Sequence, residues 1–159
     1  MPPPIVVIPE LAAGRPKPVT RELAACARRL SAMVGGEVMA VVPGEDPAEA
    51  AAATSEAAGC PVLAVRVPGL TAFNGDSYRR VLAGVLAGLA PRYILAAHTA
   101  QGLDFGPALA AELDAACISA VESLGFENGA PVFVRPVYGG KFCAHLSSGA
   151  ATTIVSVQP

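Results

Sequence analysis

The residues of this chain with the most chemical scope lie close together, at His98, Thr99, Gln101 and Gly102, in the segment RYILAAHTAQGLDFGPALAAELDA from Arg92 to Ala115. An apolar run stops there at an imidazole and passes into a polar, glycine-punctuated loop, His98 to Gly106, that opens a helix from Asp104 to Ala115. Thr99 and Gln101 bring hydrogen-bonding side chains, Gly102 adds flexibility, and N–H groups at a helix start favour negative charge. A second loop, Pro9 to Pro18, adds the cations Arg15 and Lys17. Together these groups could form a crevice for an anion or a nucleotide phosphate. The spacing is neither G-x-G-x-x-G nor a P-loop, so a plain turn with Asp104 as helix cap accounts for the same residues.

Other reactive side chains find no evident partner. His98 could serve acid–base chemistry, but neither a serine nucleophile elbow nor a cysteine-centred motif accompanies it, and His145 sits in a strand between Ala144 and Leu146. Structural roles are expected for both histidines, with no catalytic residue, so the chain does not read as an enzyme and a hydrolase ranks last. Cys26, Cys60, Cys117 and Cys143 match no metal or redox spacing and lie in apolar contexts, which predicts buried, reduced thiols. Asp76, Asp104 and Asp114 lack metal-loop spacing, and Glu112 with Asp114 suits a solvated face. No metal is expected. Arg135-Pro136 interrupts an apolar strand and Tyr138 ends it, so Arg135 and Tyr138 are candidates for a partner interface.

The elements that must position these groups follow from periodicity. In 159 residues with 53% hydrophobic content, a single domain over 1–159 can bury roughly two-thirds of its unfolded surface. Ile5 to Ile8, Val38 to Val42, Pro61 to Val67 and Tyr93 to Ala97 read as strands. They alternate with helices from Thr20 to Val34, from Asp46 to near Gly59, from Asp76 to Leu89 and from Asp104 to Ala115. Continuous apolar strands joined by helices predict a parallel sheet covered on both faces, with the first and fourth strands adjacent where the order reverses. From Cys117 the segments Ile118 to Glu127, Pro131 to Tyr138, Lys141 to Leu146 and Thr152 to Val157 are separated by Asn128-Gly129, Gly139-Gly140 and Ser148-Gly149. That spacing predicts a mostly antiparallel extension of the sheet.

Composition narrows the functional classes. A net charge of −2 with scattered Lys and Arg, 5% aromatic residues and no Trp argues against nucleic-acid binding. No apolar run approaches the ~20 residues of a membrane span, and the N-terminus lacks signal-peptide features, so no membrane insertion and a cytoplasmic location are the expectation. An Ala-rich surface with few charges invites association, homo-oligomers included.

Four ordered segments carry a family resemblance: IVVIPE, ELAACARRLSAMVGGEVMAVVPG, HTAQGLDFGPALAAELDAACIS and FVRPVYGGKFCAHL. Across essentially its whole length the chain resembles the N-terminal domain of the electron transfer flavoprotein alpha subunit. The resemblance implies a Rossmann-like, adenine nucleotide alpha hydrolase-like α/β fold, packed against a beta subunit in a carrier that moves electrons from flavin dehydrogenases to a membrane-bound acceptor. In that family FAD is held mainly by a separate alpha C-terminal domain, and AMP lies in the beta subunit. Here the chain ends at Val155-Ser156-Val157-Gln158-Pro159, with Gln158 where Arg is usual and Ala120 where Asp is frequent. The expectation is a stand-alone docking half whose FAD comes from a beta-type subunit or a separate flavin-domain chain. A small AMP- or ATP-binding module similar to universal stress proteins is the alternative.

Overall fold

Side-chain alternation along the strands dictates cover on both sides of the sheet. In β1 (Ile5–Val7), Ile5 and Val7 belong to one core cluster, while Val6, with Ile8 just beyond the strand, belongs to another. The computed structural model describes residues 1–159. After β1 come a short hairpin of β2 (Leu11–Ala12) and β3 (Arg15–Pro16), then α1 (Val19–Val34), β4 (Val38–Gly44), α2 (Ala48–Ala58), β5 (Val62–Arg66), α3 (Gly75–Leu89), β6 (Tyr93–Ala97) and α4 (Ala100–Glu112). The rest is β7 (Ala116–Val121), β8 (Ser123–Glu127), β9 (Ala130–Val137), β10 (Phe142–Leu146) and β11 (Thr153–Val157).

Six parallel strands form the main sheet in the order β5-β4-β1-β6-β11-β7. The order reverses at the β1–β6 pair, the adjacency that the strand and helix rhythm predicts. Leu23, Ala24, Ala27 and Leu30 of α1 pack with Ala58 of α2 against Ile5, Val7, Leu95 and Val155. Tyr78, Leu82 and Leu86 of α3, with Phe105 and Leu109 of α4, cover Val6, Val41, Ile94 and Ile154 on the other face. No helix is long and apolar enough to cross a membrane.

The C-terminal quarter differs from the predicted meander. The stretch Ile118 to Glu127 is not one strand: it breaks at Glu122 into β7 and β8. Strands β7 and β11 join the main sheet in parallel, while β8, β9 and β10 form a separate antiparallel sheet in the order β10-β9-β8. Burial explains the division. Thr153, Ile154, Val155 and Ser156 are all buried, as a central strand requires, whereas β10 is largely exposed. The predicted Asn128-Gly129 turn is present, with positive φ at both residues (51° and 78°).

All four cysteines are free, but only Cys60 is buried, Cys26 is half-buried, and Cys117 and Cys143 are exposed. The expectation of buried thiols therefore needs correction at two positions. Cys117 lies on β7, an edge strand of the main sheet, and Cys143 alternates away from the buried Phe133 face. At Cys26, burial pushes the thiol up to about 11, against the opposing Arg29 charge, which keeps it protonated and unreactive at neutral pH.

Candidate ligand crevice and docking surface

At the carboxyl ends of β1, β4 and β6 the chain leaves a cleft of about 630 Å³, walled by the β2–β3 hairpin, the start of α2 and the segment Leu70–Phe73, with Tyr78 and Gln101 also lining it. This is where a doubly wound sheet presents ligands. Helix α4 begins earlier than the predicted Asp104. Thr99 adopts extended geometry and its hydroxyl accepts the Gly102 N–H at 3.3 Å, a cap that starts the helix at Ala100. Gly102 thus belongs to the first turn and Pro107 to the helix interior. Glycine is required at 102 by proximity rather than by φ, since a Cβ there would lie 1.9 Å from the Ala97 carbonyl oxygen. Asp104 packs instead against Gly75, in the first turn of α3, where its charge suits that helix's positive end.

Beside the crevice, Glu10 sets the charge available from Lys17. It is only 7% exposed. Its carboxylate pairs with the Lys17 ammonium and accepts the Thr99 hydroxyl at 2.5 Å. Lys17 and Thr99, both expected to face an anion, are thereby drawn together around a carboxylate. Arg15 stands 3.7 Å from Glu49, but both side chains are largely exposed, so this ion pair is weak. The signal for Glu10 was its place directly after the first strand, in IVVIPE.

His98 does not line the cleft. Its Nδ1 lies 3.0 Å from the Ser156 hydroxyl, whose oxygen accepts the Ala120 N–H at 3.2 Å. This serine–histidine contact joins residues 58 positions apart, beyond any local motif. The β7–β11 register shifts between Val155 and Val157, so Ser119 and Ala120 together oppose Ser156, and Ala120 takes a φ of 58°. Ser156 therefore pins a β-bulge. A left-handed alanine is strained, so Ala120→Gly is expected to raise stability by about 1 kcal/mol in urea unfolding. An unchanged or lower midpoint would count against strain at this bulge.

Arg135 and Tyr138 lie on and just after β9. The register places Leu124, Phe133, Arg135, Val137, Phe142, Ala144 and Leu146 on one face of the antiparallel sheet. Leu124 and Phe133 are buried against the body, but toward Tyr138 the sheet overhangs it. Tyr138 is 80% exposed and Phe142 65% exposed, their rings edge to face at 6.0 Å. Arg135 donates to the Ser119 hydroxyl at 3.0 Å, and its buried Nε has no acceptor. Tyr138, Gly139 and Gly140 hold φ values of 50°, 65° and 83°, turning β9 back toward β10. The ledge is thus two aromatic rings on a tight turn, beside a half-satisfied guanidinium.

A doubly wound parallel sheet with a cleft beyond the carboxyl ends of its strands defines a Rossmann-like α/β domain, here with a small antiparallel sheet appended. Its sequence matches the electron transfer flavoprotein domain over residues 5–159, and the chain belongs to that family. It is 31% identical over 155 residues to the electron transfer flavoprotein subunit alpha of Bacillus subtilis (strain 168). That alignment covers 98% of this chain and 47% of the relative, so the chain spans about half the relative's length.

Proposed function

We propose that this chain is an alpha-type domain serving as the structural and docking half of a flavin electron carrier, with FAD supplied by another chain. The observation that carries the reading is the exposed Tyr138–Phe142 pair, at the far end of the sheet face whose Leu124 and Phe133 are buried against the body. Aromatic ledges beside an arginine are the usual anchors of protein interfaces. Family membership supports a beta-type subunit, or a separate flavin-domain chain, as the partner.

The crevice residues do not fit FAD. Its diphosphate would meet Glu45 and Asp46 in the lining and find Lys17 already paired with Glu10. The groups of this chain would bind and orient a partner, and the flavin, where it is bound, would supply the redox chemistry. Mixing the purified chain with a beta-type chain and FAD tests the proposal. Flavin absorbance should co-elute with this chain only when the partner is present, and the pair Tyr138→Ser and Phe142→Ser should weaken the complex about tenfold or more. Stoichiometric FAD binding by this chain alone, or no association with a beta-type chain, would contradict it.

An adenine-nucleotide module is a second reading, favoured by the cleft's volume and its place beyond the carboxyl ends of the parallel strands. Titration with AMP or ATP tests it, and silence at millimolar nucleotide would reject it.

A further inference from the structure

We infer that the crevice is built for an unphosphorylated nucleoside and discriminates against the corresponding nucleotide. The inference shares its site with the adenine-nucleotide reading and narrows it; the docking role is independent of both.

Tyr78 is the first ground. It is only 6% exposed, lines the cleft, and its hydroxyl makes no hydrogen bond within the protein. The hydroxyl reaches the solvent of the cleft, where it is free to exchange a water hydrogen bond for a ligand's donor or acceptor. Phe73 stands edge to face with Tyr78 at 4.9 Å, and both rings line the same cleft. Gln101 beside them also makes no hydrogen bond within the protein, and its amide is both donor and acceptor. Two aromatic rings, a phenol and an amide together suit the apolar face and polar edge of a heterocycle.

Charge separates nucleoside from nucleotide. The ionisable groups lining the cleft are Lys17, Glu45 and Asp46, and Lys17 is held by Glu10. Cations available to a phosphate are therefore absent from the lining, and two carboxylates remain. Glu45 is fixed in part by the Gly69 N–H at 3.3 Å. The start of α2, where an anion could otherwise gain from the helix dipole, already has Asp46 before it and Glu49 in its first turn. Carboxylates at this rim accept hydrogen bonds from sugar hydroxyls, as the acidic residue of dinucleotide folds does, and repel a phosphate.

The test is calorimetric and NMR titration of the chain with adenosine, guanosine, cytidine and uridine, each paired with its 5′-monophosphate. At least one nucleoside should bind, with its monophosphate about tenfold or more weaker at low salt, and added salt should narrow that gap as repulsion is screened. Tyr78→Phe should weaken the nucleoside about fivefold or more while leaving the fold intact. Glu10→Gln, which releases the Lys17 charge toward the cleft, should bring the monophosphate closer to the nucleoside. A monophosphate that binds as tightly as its nucleoside would overturn the inference while leaving the nucleotide reading in place. If no nucleoside or nucleotide perturbs the cleft at millimolar concentration, both fall, and association with a beta-type chain is untouched.

Discussion

Gly102→Ala is expected to destabilise the domain by on the order of 3 kcal/mol, the range in which a buried methyl group is forced into a full space. The new Cβ would sit 1.9 Å from the Ala97 carbonyl oxygen and 3.1 Å from its carbon, and neither atom can rotate away. Ala97 ends a strand paired on both sides, by β1 and by β11, and α4 is anchored through the buried Phe105 and Leu109. Relief therefore requires the first turn of α4 to lift from β6. That movement breaks the Thr99 cap and pulls the Thr99 hydroxyl from Glu10, so Lys17 and the crevice lose their reference point. Urea unfolding should show a lower midpoint, and the amides of Ala100–Leu103 should exchange faster. Gly106→Ala is the control, because it adds a methyl to the same helix with nothing within 4 Å. There the gain in helix propensity, about 0.5–1 kcal/mol, should prevail. Equal loss at both positions would refute the steric explanation.

Phe133→Ala should cost about 3–5 kcal/mol, as expected for an aromatic side chain removed from a packed core. Phe133 is 0% exposed, lies 5.6 Å from the Tyr93 ring, and joins β9 to the cluster that includes Leu23, Leu30 and Val155. Leu124 and Leu146, its neighbours in register, complete the attachment of the antiparallel sheet. With the ring removed, β8 to β10 should open more readily than the main sheet, giving faster amide exchange there and early proteolysis. Partner binding should fall with it, because the Tyr138 ledge depends on the sheet beneath it. Phe142→Ala offers the contrast. Phe142 is 65% exposed, so its loss should leave folding almost unchanged while weakening docking. Normal exchange protection of β8 to β10 in Phe133→Ala would show that the sheet is held by something else.

Much of the parallel core was legible because its signals are local. Apolar runs such as YILAA and the stripe Leu23, Ala27 and Leu30 each report burial through periodicity, and the reversal between β1 and β6 is the one the usual doubly wound order places there. Local signals misled where one short segment had two uses. The glycines and Asp104 suggested a loop before α4, but Thr99 supplied the cap, so the helix absorbed them. At the C-terminus, turn residues marked hairpins correctly around β9, yet turn chemistry does not say which sheet a strand will join. Thr153–Val157 enters the main sheet because burial on both faces is available only between β6 and β7.

The candidate site divides the same way. Sequence by itself determined the family and the layer order, since each depends on residue types in series and on strand-to-helix spacing. It placed a crevice between the loops after β1 and β6, whereas folding walls the cleft largely with the β2–β3 hairpin, the start of α2 and Leu70–Phe73, and tertiary structure alone decided its chemistry. Glu10 holds Lys17 and reaches Thr99 across 89 positions, and Ser156 reaches His98 across 58. The net charge of a site is the sum of groups brought close by folding. A pattern read along the chain identified Arg15 and Lys17 as cations for an anion, and only the folded contacts assign Lys17 to a buried carboxylate and leave Arg15 largely in solvent.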